Sequence, residues 1–194
     1  MPTSFRKNIL SEAAWLYITL LIVLGFAIYW RTLSFGFVAD DYIQARHFPL
    51  KEIIASFYGT FDQRGICPNF YRPLLVISYA LSYLFFKTNP FGYHLANIFL
   101  NTVNVILVYF IMRKIRTNSA FSFVAATLFL LMPHNFGSVS WIAGKPEIIM
   151  TLFYLSSFLA FIGFYNNQHK ALFYWFSILC FIFSLMTREM AVTL

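Results

Sequence analysis

Two adjacent carboxylates, Asp40 and Asp41, stand in SFGFVADDYIQARHF, a few residues beyond a long apolar segment, and they are the only paired acids in the chain. Shielded by Phe35, Phe37, Tyr42 and Phe48, a carboxylate at this position can have its pKa raised and serve as a general base. Neighbouring residues point in different directions, so one acid can meet a substrate while the other braces the loop. The plainer reading is structural: Asp40 N-caps a helix beginning at Asp41-Tyr42, and Asp41 sits near the positive end of its dipole.

Three cations have the type and spacing to meet a phosphate: Arg72 in NFYRPLL, Lys145 in WIAGKPE and Arg188 in MTREM. Arginine is favoured where an anion is gripped by two parallel N–H groups. His94 and Asn97 in GYHLANIFLN lie one helix turn apart and are candidates for substrate contact; the plainer reading of His94 is a satisfied interfacial histidine. No set of His, Cys, Asp and Glu has metal-ligand spacing, and there is no G-x-S-x-G elbow or Cys and His pair for nucleophilic catalysis. No cofactor is therefore expected, with a divalent metal left open. Asn101, Asn104, Ser156 and Ser157 fall inside apolar runs and suit hydrogen bonds between helices.

The elements that must position these groups are membrane helices. Of 194 residues, 60% are hydrophobic, 21% aromatic and only 11% charged, far from the makeup of a soluble domain. A bilayer core about 30 Å thick needs roughly 20 apolar helical residues, so the chain crosses repeatedly and leaves little for a soluble unit. Its net charge of +7 comes from single Lys and Arg residues and from the ends of apolar runs, where they orient helices and meet headgroups; nucleic acid is not expected as a partner. Cys67 lies in a polar loop and Cys180 in an apolar run, which argues against a disulfide between them.

Apolar runs predict an all-α, polytopic bundle with spans near 14–30, 94–112, 119–133, 148–165 and 171–186. The first run reads as a signal-anchor, with Arg6 and Lys7 before it and Trp15 and Trp30 at its ends; no A-x-A-like cleavage site follows. Between the first two spans, residues 31–92 form a long connection, inside which 74–86 is too short to cross and is expected to lie along the interface. With a cytoplasmic N-terminus, this arrangement returns Arg113, Lys114 and Arg116 to the cytoplasm, as the positive-inside rule prefers. After Pro133, HNFGSVSWIAGKPE reads as a loop lining a cavity on the outer face. The chain stops at TREMAVTL without a closing tail and is expected to be a fragment.

FGFVADDYIQ, NFYRPLLVISYALSYLFF, PFGYHLANIFLNTVNVILVYF, SVSWIAGKPEIIMTLFYLSSFLA and FSLMTREMAVTL occur in that order. Together they resemble the N-terminal half of the polyprenyl-phosphate-sugar-dependent glycosyltransferases of the GT-C superfamily. The likeness is closest to membrane O-mannosyltransferases that carry tetratricopeptide repeats, and to their bacterial relatives. The resemblance implies inverting transfer of a sugar from a polyprenyl-phosphate-linked donor to an acceptor hydroxyl on a protein or glycan. The reaction would take place on the external, periplasmic or ER luminal face of a multi-pass membrane protein. It assigns the acidic motif of the first loop to Asp40 and Asp41, with Asp40 favoured as base, and the departing lipid phosphate to Arg72, Lys145 and Arg188. His94, Asn97 and Glu189 fall in matching motifs as substrate contacts. Where the family often has Lys before Glu, this chain has Arg188 before Glu189, which keeps the charge and changes the contact geometry. The family's remaining spans and repeats are missing, so this piece is expected to be inactive alone. Two other readings fit several spans with cations at their ends: a transporter or flippase for a lipid-linked substrate, and a non-catalytic membrane assembly subunit.

Overall fold

Proline and asparagine set many of the helix starts. α1 (Glu12–Tyr29), the short α2 (Asp41–Gln44) and α3 (Leu50–Ala55) are followed by α4 (Pro73–Phe86) and α5 (Pro90–Lys114), both of which begin at a proline. There the missing N–H is one the helix would leave unpaired in any case. α6 (Ser119–Leu130) and α7 (Pro133–Ser140) come next, then α8 (Lys145–Asn166) and α9 (Ala171–Leu185). The side chain of Asn89 caps α5 by accepting from the Phe91 N–H at 3.1 Å, and Asn118 caps α6 by accepting from the Phe121 N–H at 2.7 Å. The computed structural model describes residues 12–60, 70–115, 118–166 and 171–193. Arg6, Lys7, Cys67 and Arg116, named above, lie outside them. Among the described residues the fold is all-α, with no strand.

α5 is the central post, packed against α1, α4, α6, α7 and α8. One core joins Leu21 and Tyr29 of α1, Ile98, Val105 and Tyr109 of α5, and Leu130 of α6; a second joins Phe48, Leu75, Val76 and Tyr79 of the first connection with Tyr93 and Ile142. Because lipid is as apolar as a leucine side chain, close backbone approach and interhelical hydrogen bonds decide which helices pair. At the contact of α1 with α5, a methyl on Gly25 would lie 2.8 Å from the Thr102 hydroxyl, so glycine permits the approach. Asn104 Nδ2 donates to the Ile148 carbonyl at 3.0 Å, tying α5 to α8. α8 and α9 run antiparallel: Ser157 Oγ donates to the Ser177 carbonyl at 2.8 Å, Ser177 Oγ returns a bond to the Ser157 carbonyl at 2.9 Å, and Ser184 Oγ reaches the Met150 carbonyl at 3.0 Å. These are the interhelical roles expected of Asn104 and Ser157. Bonds of this kind are worth about 0.6 kcal/mol each on average in a membrane protein.

Among the described residues, three helical stretches are long and apolar enough to cross a membrane: Ala14–Ser34, Pro90–Lys114 and Ile142–Asn166. A fourth is reached if α6 and α7, bent by 58° at their junction, count as one broken span. α4 and α9 are shorter apolar helices of 14 and 15 residues. The main departure from expectation is the segment after Pro133, read above as loop. It forms α7 and then a 3₁₀ turn, Ile142–Gly144, that leads straight into α8. Pro133 ends one helix and starts the next, since its fixed φ suits a first helical position.

Candidate active site

The site is built around the corner between α7 and α8. Gly144 sits in its tight turn, where an added Cβ would lie 2.4 Å from the Ser138 carbonyl oxygen and 2.7 Å from its Cα. Only glycine allows the two helix ends to come this close. The corner is held by Asp41 from the first connection. Its Oδ1 accepts the Ala143 N–H at 2.9 Å and its Oδ2 accepts the Val38 N–H at 2.9 Å, with the side chain 1% exposed. Burial pushes the Asp41 carboxyl pKa above the usual range; the two N–H bonds work against the rise, and the charge of Asp40 adds to it.

Asp40 is arranged differently. It is exposed, and although it precedes α2 its side chain makes no capping bond, so capping does not account for it. The residue before it, Ala39, has φ +48°, a left-handed conformation that costs a residue with a Cβ roughly 1–2 kcal/mol. A strained alanine followed by one anchored and one free carboxylate is the local geometry of the acidic pair. Two more bonds stiffen the connection: Arg46 forks onto Glu52 through both guanidinium ends, and its guanidinium stacks 4.0 Å from the Phe48 ring centre.

Beside the corner lies an open cavity of about 430 Å³, lined by Arg72, Pro133, His134, Ser138, Trp141, Ala143, Glu147 and Arg188 among others. Arg72 reaches it from the residue before α4, and Arg188 from just beyond α9. Both arginines face carboxylates. Arg72 Nη2 donates to both oxygens of Glu189, at 2.8 and 3.1 Å, and stacks 4.1 Å from the Phe70 ring centre. Arg188 Nη1 donates to Glu147, whose other oxygen accepts from Ser138 Oγ and lies 3.1 Å from His134 Nε2. Partial burial would raise the Glu189 carboxyl pKa, but the Arg72 hydrogen bonds and the charges of Arg72 and Arg188 outweigh it and hold it below the usual range. Glu147, His134, Ser138 and Trp141 were not singled out from sequence. The available signal was Glu147 itself, a lone acid at the mouth of an otherwise uncharged apolar run, where an ionisable side chain marks a site more often than an accident.

The chain is 30% identical to the human protein O-mannosyl-transferase TMTC3 over 152 residues, which is 74% of this chain and 16% of that protein. It is 29% identical to protein O-mannosyl-transferase tmtc2 of Xenopus laevis over 182 residues, 88% of this chain and 22% of that protein. The Drosophila melanogaster protein O-mannosyl-transferase Tmtc1 is 29% identical over 184 residues. The chain is homologous to the protein O-mannosyl-transferases. It spans about a fifth of the length of these curated relatives. No protein-family profile matches it. No solved structure matches it.

In this O-mannosyl-transferase homologue the remaining candidate residues do not line the cavity. Lys145, 1% exposed, donates from Nζ to Ser82 Oγ at 2.6 Å and lies over the faces of Tyr79 and Tyr93, 5.3 and 5.7 Å from their ring centres. Ser82 Oγ passes a bond on to the Ser78 carbonyl at 2.9 Å. His94 is buried with its ring edge-on to Phe35, 6.2 Å between centres. Asn97 is buried too and donates to the Trp141 carbonyl at 3.3 Å, pinning α5 to the corner. The structure thus brings Arg72 and Arg188 to one cavity, with Glu189 on Arg72, Asp41 bonded to the wall at Ala143 and Asp40 next to that anchored acid, and leaves Lys145, His94 and Asn97 outside the lining.

Proposed function

We propose that this chain carries the donor site and general base of a membrane mannosyltransferase of the GT-C kind. The enzyme uses a polyprenyl-phosphate-linked mannose, inverts the anomeric centre and works on the non-cytoplasmic face. The observation that carries the reading is the junction of an exposed acid with a two-arginine cavity: Asp41 anchors its loop to Ala143, itself a cavity wall, so Asp40 stands one residue, about 3.8 Å along the chain, from that anchor. A phosphodiester donor seated between Arg72 and Arg188 presents its anomeric carbon toward the acid. The acceptor hydroxyl attacks that carbon from the face opposite the leaving group while Asp40 takes its proton. The bond from the anomeric carbon to the phosphate oxygen breaks, and the charge growing on the departing lipid phosphate is met by the two guanidinium groups.

The same end of the bundle gathers the start of α8, the region beyond α9 and the start of α4, whereas Arg113 and Lys114 end α5 at the far side. At 1.5 Å per residue the 25 residues of α5 reach roughly 37 Å, enough to set these basic residues across a bilayer from the cavity. This supports an outward cavity with basic residues inside; five crossings with α4 along the interface require in addition that the shorter α9 crosses.

Asp40→Asn in the full-length protein tests the reading. Asn keeps the shape and cannot take the proton, so mannosyl transfer should fall about 10²- to 10⁴-fold with donor binding and membrane insertion kept. Near-normal turnover would show that Asp40 is not the base.

A further inference from the structure

The two carboxylates that face the cavity arginines are held in different ways. Glu147 is 25% exposed and is fixed by Ser138 and His134 as well as by Arg188, so its place beside Arg188 is built into the corner. Glu189 is 58% exposed, sits in the 3₁₀ turn Glu189–Thr193, and among the described side chains its carboxylate bonds Arg72 alone. Arg72 is the better buried partner, at 14% exposure. An exposed carboxylate on a sheltered guanidinium is held by a weak, exchangeable ion pair.

We infer that Glu189 is the exchangeable counter-ion of Arg72, giving way to the donor phosphate and returning to Arg72 to expel the product. The inference rests on the cavity being the donor-phosphate site. The donor, a phosphodiester, carries one negative charge. The product of transfer is a lipid phosphomonoester, with a charge of about −1.5 to −2 at neutral pH. Two arginines hold such a product more tightly than the donor, and unopposed they would trap it. Glu189 offers Arg72 an internal anion at high local concentration, which lowers the affinity of both ligands and shortens the stay of the product. Glu147 is less free to play this part, because its other oxygen is held by Ser138 and His134.

The test compares variants of the full-length protein using farnesyl phosphate, a short-chain lipid phosphomonoester, as competitive inhibitor. Glu189→Gln should lower the inhibition constant of farnesyl phosphate and the donor KM by about two- to fivefold, the range of an exposed ion pair, and should lower kcat as product release slows. A merely structural role would raise KM or leave it alone, and an unchanged or raised inhibition constant overturns the inference. Glu189→Asp, which keeps the charge but draws it back by one methylene, covers the case in which the Gln variant folds poorly; it should shift the constants in the same direction, and its failure to do so overturns the inference equally. Arg72→Gln distinguishes the two levels of the account. If it weakens both ligands while the Glu189 variants do not tighten them, only the exchange is wrong; if it changes neither ligand, the cavity is not the phosphate site.

Discussion

Lys145 and the arginine pair flank the same strip of chain and live in opposite surroundings. Lys145 is buried, its amine over two tyrosine faces and bonded to one hydroxyl. Arg72 and Arg188 border an open cavity, each against a carboxylate. Both arrangements satisfy a cation, but only the second leaves room for an incoming anion to compete. Lys145 contributes instead to the joint between α4, α5 and α8, where its contacts with Ser82, Tyr79 and Tyr93 span those elements.

Substitutions can break or sharpen that contrast. The largest effect is expected at Arg188. Arg188→Gln in the full-length protein should weaken donor use by about 2 kcal/mol or more, a factor near 30, because it removes one phosphate contact and leaves Glu147 without its strongest donor. Unchanged donor kinetics would take Arg188 out of the phosphate site. A middle effect concerns Asp41, which holds the corner between the two environments. Its pKa is raised by burial, so the folded state holds its proton more firmly than the unfolded chain. Its contribution to stability is therefore greatest below the ordinary carboxylate pKa and falls as pH climbs through the raised value. Thermal unfolding measured across the mildly acidic range should show this decline in the parent and a flatter profile in Asp41→Asn; equal slopes would mean that Asp41 is not the group responsible. The smallest effect is expected at Lys145. Lys145→Met fills a similar volume at a position outside the cavity lining, so the donor KM should stay within about twofold. A loss as large as that of Arg188→Gln would return Lys145 to the phosphate site and erase the distinction drawn here.

Much of the fold was legible because membrane helices announce themselves. The apolar runs from Ala14, His94 and Ile148 each fall within a long helix of the structure, and Pro73 and Pro90 mark helix starts. Pro133 was read as the end of structure, because a proline followed by His, Asn, Phe and Gly carries loop chemistry, yet the packing of α7 beside α5 and α8 overrides that preference. The acids were legible as a pair, and the division into one anchored and one exposed member follows from adjacency alone. What sequence could not supply was the facing of each cation. Lys145 and Glu147 are two residues apart at the start of one helix, hence on different sides of it, and only the packed corner shows that the cavity receives the glutamate. The pairing of Arg72 with Glu189 joins residues 117 positions apart and left no local trace.

The most direct measurement is photo-crosslinking of a short-chain polyprenyl phosphate, with its reactive group beside the phosphate, to the full-length protein, followed by peptide mapping. The account predicts labels on the cavity wall, at His134, Trp141 or the residues around Arg188, that are lost when excess farnesyl phosphate is added and reduced in Arg72→Gln. Labels concentrated instead on Tyr79, Ser82 or Tyr93 around Lys145, or on the face shared by α8 and α9, would contradict it.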